Sequence, residues 1–227
     1  MMTTSQPPRD ARRVLGLAIA LVFLAVPTTM ASNVDLPEQL EATEAHSRLG
    51  MVATGSTEAT EAAVAVLEQG GNAIDAAVTA SLVLGVADSD ASGLGGSTYM
   101  IIRLANGRTI AIDGTALAPV HIDLQGLRNS VEAGKTYGHE FTAVPTTLAV
   151  LDLALRKYGT ITMAEALQPA IDLAESGYRL SEVQITWARY YHDDILAAST
   201  YYPYLIMEDG KTIGEPGDRI CNHDLAS

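Results

Sequence analysis

Residues 92–112 read SGLGGSTYMIIRLANGRTIAI, and this stretch decides the kind of fold that we expect. Two runs rich in β-branched and aromatic residues, 99–104 and 108–112, flank the dipeptide Asn106-Gly107. Asn-Gly between two such runs is the strongest short-range signal for a β-hairpin, because glycine adopts positive φ at little cost. The stretch therefore predicts two antiparallel strands joined by a tight turn.

The residues before the hairpin predict a short strand at 50–54 and two helices. Ser56 followed by acidic residues is typical of a helix start, and Gly70 supplies a helix end. Asn72 with Asp75 three residues on predicts a capping box for the second helix. That helix is almost wholly small or apolar, which is typical of a buried helix.

The residues after the hairpin predict an irregular stretch at 113–141 and then two more helices. These helices are expected near 146–157 and 163–176, and Gly159 and Gly177 end them. Local helices mixed with an antiparallel hairpin indicate the α+β class rather than a succession of parallel βαβ units.

The N-terminal residues predict a segment that directs export to the periplasm or beyond. Basic residues precede the apolar run 14–26, and small residues follow up to Ala31, so we interpret 1–31 as a signal peptide. The alternative is a membrane anchor, but the run is short for a hydrocarbon layer of roughly 30 Å. Residues 32–47 are polar and acidic, as in a tether, and no membrane span is expected after the signal peptide is removed.

The charge and the metal-binding residue types exclude several function classes. The formal net charge of −13 repels phosphate backbones, so no nucleic-acid partner is expected. Cys221 is the single cysteine and cannot form an internal disulfide. The histidines show no spacing of metal ligands, so neither a metal nor another cofactor is expected: His46, His121, His139, His192 and His223.

The glycine-rich residues 92–97 are a candidate phosphate-binding loop by composition. A nucleotide-binding fingerprint lies between a strand and the start of a helix, whereas this one follows a predicted helix and enters a predicted strand. The context therefore favours a backbone turn that other groups approach closely.

Several segments in order resemble the gamma-glutamyltransferase family, and the resemblance spans residues 48–226. The segments are GMVA at 50–53, GGNAIDAA at 70–77, SGLGG at 92–96, a segment ending in Ala-Pro at 113–119, AVP at 143–145, KYG at 157–159 and PAIDLAESG at 169–177. On this basis we assign 48–227 to the large-subunit region of such an enzyme.

The resemblance implies an N-terminal-nucleophile hydrolase with an αββα sandwich. The family's precursor cuts itself, and a threonine at the new N-terminus attacks the γ-glutamyl amide of a compound such as glutathione. The freed α-amine, whose pKa is near 8, can act as the general base for that attack. Oxyanion donors would stabilise the acyl-enzyme intermediate.

The family's nucleophile lies in the second half of the precursor, and these 227 residues cover less than half of a usual precursor. We therefore expect an incomplete sandwich with no catalytic residue of its own, which is inactive without the C-terminal small-subunit half as its partner. A catalytically inactive stand-alone remnant is the alternative from a different functional class.

Besides the missing nucleophile, the sequence departs from the family at a substrate-binding position. The family's Asp-x-Arg-Glu-x-Ala-Pro segment reads Asp-Gly-Thr-Ala-Leu-Ala-Pro at 113–119, so Thr115 stands where an arginine would bind the substrate α-carboxylate. Asp113 and Thr115 are the expected substrate-binding residues. A hydroxyl replaces a bidentate charged pair, which weakens the case for glutathione and leaves a sibling, acylase-like N-acyl amide hydrolase open. Arg103 and Arg108 are candidate replacement cations, although each is more typical of a solvated strand residue.

Overall fold

The computed structural model describes residues 46–135, 138–197 and 212–227. Residues Arg48–Ser227 form one compact unit. The predicted signal peptide at 1–31 and nearly all of the predicted tether at 32–47 lie outside the described residues. Within the described ranges, no helix is long and apolar enough to cross a membrane.

The described residues form a mixture of helices and short strands, as expected for the α+β class. In chain order the elements are α1 (Thr57–Glu68), α2 (Ala73–Ala87), β1 (Thr98–Arg103), β2 (Thr109–Gly114), α3 (Leu124–Glu132), a 3-10 helix (His139–Phe141), α4 (Thr147–Tyr158), α5 (Met163–Ser176), β3 (Tyr178–Arg179), α6 (Glu182–Tyr190), α7 (His192–Ala197), β4 (Arg219–Ile220) and α8 (His223–Ala226).

The predicted hairpin is confirmed. Strands β1 and β2 pair antiparallel, with Tyr99 opposite Asp113 and Arg103 opposite Thr109. Gly107 in the connecting turn has a φ of +83°, a conformation that glycine adopts without a steric penalty. In the described part of the chain, the only other sheet is the short pair β3–β4.

The predicted helix boundaries around α1 and α2 are also confirmed. The Ser56 side chain accepts a hydrogen bond from the Ala59 amide at the start of α1, and Gly70 beyond its end has a φ of +92°. The Asn72 and Asp75 side chains form both halves of the capping box that opens α2. Helices α4 and α5 likewise lie where the sequence predicts them.

The predicted strand at 50–54 is wrong. A strand requires a hydrogen-bonded neighbour, and the two sheets in the described residues are built from other segments. Val52 instead packs against a small cluster formed by Ala63, Ala76 and Ala80. The segment therefore lies along helices α1 and α2 and forms no strand.

The prediction of an irregular stretch at 113–141 is wrong in its middle. Helix α3 occupies Leu124–Glu132, and the Asp123 side chain caps it by accepting from the amides of Gln125 and Gly126. Gly126 lowers the helix propensity of this short segment, although Leu124, Leu127 and Val131 follow helical spacing. None of the residues of α3 is buried. A short 3-10 helix follows at His139–Phe141.

The core is built around α2, as its apolar sequence predicts. Helix α2 packs on α1, α4 and α5, and small alanines on α5 allow close approach. The buried side chains come from each of these helices and from α6: Ala59, Val78, Leu82, Val83, Val86, Leu151, Leu155, Ala166, Ala170, Ala174 and Ile185.

The start of α4 is bonded to the open end of the hairpin, where β1 begins and β2 ends. The amides of Thr146 and Thr147 donate to the Gly96 carbonyl at 3.0 and 3.3 Å. The Thr146 hydroxyl donates to the Gly114 carbonyl, and the Thr98 hydroxyl donates to Thr147 Oγ1 at 3.0 Å. We call this set of contacts the α4–hairpin junction.

A buried carboxylate ties the start of α2 to the turn after α4. The Asp75 side chain is fully buried and accepts from the Asn72 amide at 2.8 Å, the Thr160 amide at 2.7 Å and the Thr160 hydroxyl at 2.6 Å. Burial raises the pKa of Asp75, but the hydrogen bonds from Thr160, Asn72 and Ile161 together outweigh burial and leave the pKa below its usual value.

We predict that Asp75→Asn lowers the free energy of unfolding by about 2–3 kcal/mol, because an amide leaves buried donors without their charged acceptor. The folded pKa of Asp75 lies below its unfolded value, so the carboxylate stabilises the fold above about pH 4 and loses that effect as pH falls through the folded pKa. Urea denaturation from pH 3 to pH 7 measures both effects.

The matched control is Asp172→Asn on the exposed surface of α5, for which we expect a change within about 0.5 kcal/mol. Equal stability losses for the two variants at pH 7, or a difference between Asp75→Asn and the wild type that grows below pH 4, would contradict this role of Asp75.

The α4–hairpin junction generates a second prediction. A Cβ at Gly114 would lie 2.3 Å from the Thr98 carbonyl oxygen and 2.4 Å from Val150 Cγ2, whereas a Cβ at Gly95 meets nothing within 4 Å. We expect Gly114→Ala to destabilise the protein by about 2–3 kcal/mol through overpacking, and Gly95→Ala by about 0.5 kcal/mol or less. Urea unfolding midpoints measure both, and similar midpoints for the two variants would show that the junction tolerates a side chain.

Candidate functional site

The two expected substrate-binding residues lie at the open end of the hairpin. Asp113 is the next-to-last residue of β2 and pairs with Tyr99 on β1, and Thr115 follows the end of β2. All three side chains are exposed, and Tyr99 retains 65% of its accessible surface. The α4–hairpin junction lies directly behind them through Thr98 and Gly114.

Hydrogen bonds join these three side chains. Asp113 Oδ1 accepts from the Thr115 amide at 2.9 Å and from the Thr115 hydroxyl at 2.6 Å. The Tyr99 hydroxyl lies 3.2 Å from Thr115 Oγ1. Because Thr115 has one hydroxyl proton and directs it at the carboxylate, the Tyr99 hydroxyl must be the donor to Thr115. We call this chain of side chains the Tyr99–Thr115–Asp113 relay.

The relay keeps Asp113 ionised. The hydrogen bond from the Thr115 hydroxyl, and then that from the Thr115 amide, lower the pKa of Asp113 below its usual value. Asp113 Oδ2 and the lone pairs of the Tyr99 hydroxyl are left as acceptors, since no donor among the described residues bonds to them. Chemically, this end of the hairpin accepts hydrogen bonds and carries a negative charge.

The candidate replacement cations lie at the opposite end of the hairpin. Arg103 pairs with Thr109 next to the turn, four residues from Tyr99 along β1. At about 3.3 Å per residue this separation is roughly 13 Å, which exceeds the reach of an arginine side chain. Arg108 precedes Thr109 and is further still from Asp113 along β2. Neither arginine therefore substitutes for a cation at Thr115.

The glycine-rich residues 92–97 form the turn that was predicted between α2 and β1. The Ser97 hydroxyl oxygen accepts from the Ala116 amide at 3.0 Å, and Leu117 forms an antiparallel bridge with Val144. The glycine-rich turn, the segment after β2 and the segment before α4 thus converge on one place. Their backbone contacts hold the relay in position.

Tyr99 is the site residue that sequence reasoning missed. The residues around Tyr99 predict only a strand, whereas its role depends on the residue opposite it on β2. The turn at Asn106-Gly107 could have identified Tyr99, because a hairpin closed there fixes which residue lies opposite Asp113. Across the described ranges, no group of three or more histidine, cysteine, aspartate or glutamate residues could hold a metal ion.

The outward face of the hairpin carries exposed apolar side chains beside the relay, and Arg103 and Thr109 lie on the same face near the turn. Ile101 retains 78% of its accessible surface, and Tyr99 and Ala111 are exposed on the same face. The inward face carries the buried Ile102 and the partly buried Met100. The sheet is therefore covered by described residues on one side.

The sequence is similar to those of two differently named groups of enzymes, glutathione hydrolases and acylases. The chain is 33% identical over 186 residues to the glutathione hydrolase proenzyme of Escherichia coli (strain K12), which covers 79% of this chain and 32% of that protein. It is also 33% identical over 188 residues to the acylase ACY 1 proenzyme of Pseudomonas sp. (strain SE83), covering 78% of this chain and 33% of that protein. The chain thus spans about a third of the length of these curated relatives.

The structure is similar to that of Helicobacter pylori gamma-glutamyltranspeptidase, with a TM-score of 0.70 and 31% identity over 81% of this chain and 53% of that chain. This similarity confirms the expected fold class, the N-terminal-nucleophile hydrolase sandwich, of which the chain contains a part. The model of the family described as gamma-glutamyltranspeptidase matches residues 59–227. The chain belongs to the gamma-glutamyltranspeptidase family.

Proposed function

We propose that this chain is the large-subunit region of an enzyme that cleaves γ-glutamyl or closely related amide bonds through an acyl-enzyme. The observation that carries the proposal is the family match over residues 59–227, in a chain that spans about a third of its curated relatives. The nucleophile, a threonine freed by autoprocessing, would come from polypeptide that is not among these 227 residues. Its own α-amine would serve as the base, so the reaction needs no cofactor.

The exposed face of the hairpin supports a partner for this region. In an αββα sandwich two sheets pack face to face, and each is covered by helices on its other side. Here helices lie behind the hairpin, while Tyr99, Ile101 and Ala111 face outward. The small-subunit half of the enzyme is the partner that this apolar face would receive.

In this proposal, the Tyr99–Thr115–Asp113 relay contacts the acyl part of the substrate. A γ-glutamyl compound such as glutathione is the first candidate. The second candidate is another N-acyl amide, as the acylase relative's name suggests, and the neutral Thr115 in the relay favours it. The chain is equally identical to a glutathione hydrolase and to an acylase, so sequence identity does not distinguish the two candidate substrates. The side chains of the site must distinguish them.

We also propose that the enzyme acts outside the cytoplasm. The predicted signal peptide at 1–31 supports export to the periplasm or beyond. The acidic composition, with a formal net charge of −13, is consistent with a small-molecule substrate and with no nucleic-acid partner.

Reconstitution tests the proposed function. We expect purified residues 1–227 to release no p-nitroaniline from γ-glutamyl, 4-aminobutyryl or glutaryl p-nitroanilide above the buffer blank. Joined in cis or in trans to the proposed small-subunit half, the protein should turn over at least one of the three at about 1 s⁻¹ or faster. The control is the reconstituted protein with alanine replacing the threonine that autoprocessing exposes.

Turnover by residues 1–227 alone would contradict the proposal. A reconstituted protein that is inactive on all three anilides, together with a monomeric and cooperatively melting isolated chain, would instead support a stand-alone domain without catalysis. An incomplete sandwich should associate through its exposed apolar face, which light scattering measures.

A further inference from the structure

We propose that the Tyr99–Thr115–Asp113 relay selects an acyl group whose distal end donates hydrogen bonds and carries no carboxylate. The inference rests on the proposed function and names the substrate class of the same site. A 4-aminobutyryl chain is the simplest example, since it is a γ-glutamyl chain without the α-carboxylate.

The positions of the protons in the relay determine whether it donates hydrogen bonds to a ligand or accepts them. The amide and hydroxyl protons of Thr115 both point to Asp113 Oδ1, and the hydroxyl proton of Tyr99 points to Thr115. No side-chain proton of the relay remains for a substrate. The relay therefore offers lone pairs, and a group bound there must supply the protons.

The negative charge of the relay also favours a ligand that donates hydrogen bonds over one that carries a carboxylate. Asp113 is exposed and ionised, and no ion pair in the described part of the chain involves it. Arg103 and Arg108 lie at the turn end of the hairpin. A substrate carboxylate would face both a like charge and unprotonated oxygens. An ammonium group would instead form a charge-assisted hydrogen bond with Asp113 Oδ2.

The relay is held in place by the backbone around it. The α4–hairpin junction fixes Gly114, and the contact between Ser97 and Ala116 fixes the chain on the far side of Thr115. Once the proposed small-subunit half covers this end of the hairpin and excludes water, polar groups held in this way discriminate strongly against ligands that leave them unpaired. The selection is therefore a property of these positions and does not require an induced rearrangement.

The test uses the reconstituted enzyme and three p-nitroanilides of equal backbone length. The γ-glutamyl donor carries both an amine and a carboxylate, the 4-aminobutyryl donor only the amine, and the glutaryl donor only the carboxylate. We expect kcat/KM for the 4-aminobutyryl donor to exceed that for the glutaryl donor by about tenfold or more, as one charge-assisted bond allows. A preference for the glutaryl donor would overturn the inference.

A matched pair of variants localises the effect. Thr115→Arg introduces the missing cation and should reverse the ratio by about tenfold or more in favour of the glutaryl donor. Thr109→Arg adds the same charge to an exposed position at the turn end of β2 and should leave the ratio within about twofold. Equal shifts in the two variants would show that overall charge, rather than the relay, sets the preference.

A binding measurement separates failure of this inference from failure of the proposed function. If none of the three anilides is hydrolysed, the proposed function fails, and binding to the reconstituted protein decides the inference. Titration with 4-aminobutyramide should shift the backbone amide NMR signals of Tyr99 and Thr115, and titration with glutaramic acid should not. Equal shifts with the two compounds, or no shift with either, would overturn the inference.

Discussion

The first peptide amides of helix α4 have no acceptor within the helix, and they donate instead to the backbone at the open end of the hairpin. Thr146 is the N-terminal flanking residue of α4, yet its side chain makes no capping bond to the helix. Its hydroxyl donates instead to the Gly114 carbonyl, while the amides of Thr146 and Thr147 donate to Gly96. One short segment thus joins the glycine-rich turn, both strands and the helix layer. The position of every group in the candidate site depends on this junction.

The junction explains why the site is at the open end of the hairpin. Gly114 is buried against Thr98 and Val150, so the next residues leave the sheet at a fixed point and Asp113 and Thr115 are placed there. The fold fixes the position of the site at the open end of the hairpin, and the side chains of Asp113 and Thr115 determine which groups it can bind. A threonine where the family carries an arginine converts a cationic contact into part of a hydrogen-bonded, negatively charged group.

Local signals predicted most of the fold, and they failed where longer-range contacts decide. The hairpin, the capping box of α2 and the ends of α4 and α5 follow from residues adjacent in sequence. We predicted a strand for the apolar segment 50–54, but apolar character alone does not reveal whether a segment packs against helices or pairs with another strand. Helix α3 was missed although Leu124, Leu127 and Val131 follow helical spacing, because the helix is short and contains Gly126. Asp113 and Thr115 came from the family resemblance, whereas Tyr99 required the cross-strand register.

The central claim is that the end of the hairpin holds the acyl group of an amide substrate while a second sheet covers the hairpin's outward face. A crystal structure of the reconstituted enzyme, with its acyl-enzyme trapped, tests the claim most directly. We predict that a hydrogen-bond donor of the acyl chain lies about 3 Å from Asp113 and that strands of the second half bury Ile101. An acyl chain bound away from Asp113 and Thr115, or an Ile101 side chain still exposed to solvent, would contradict it.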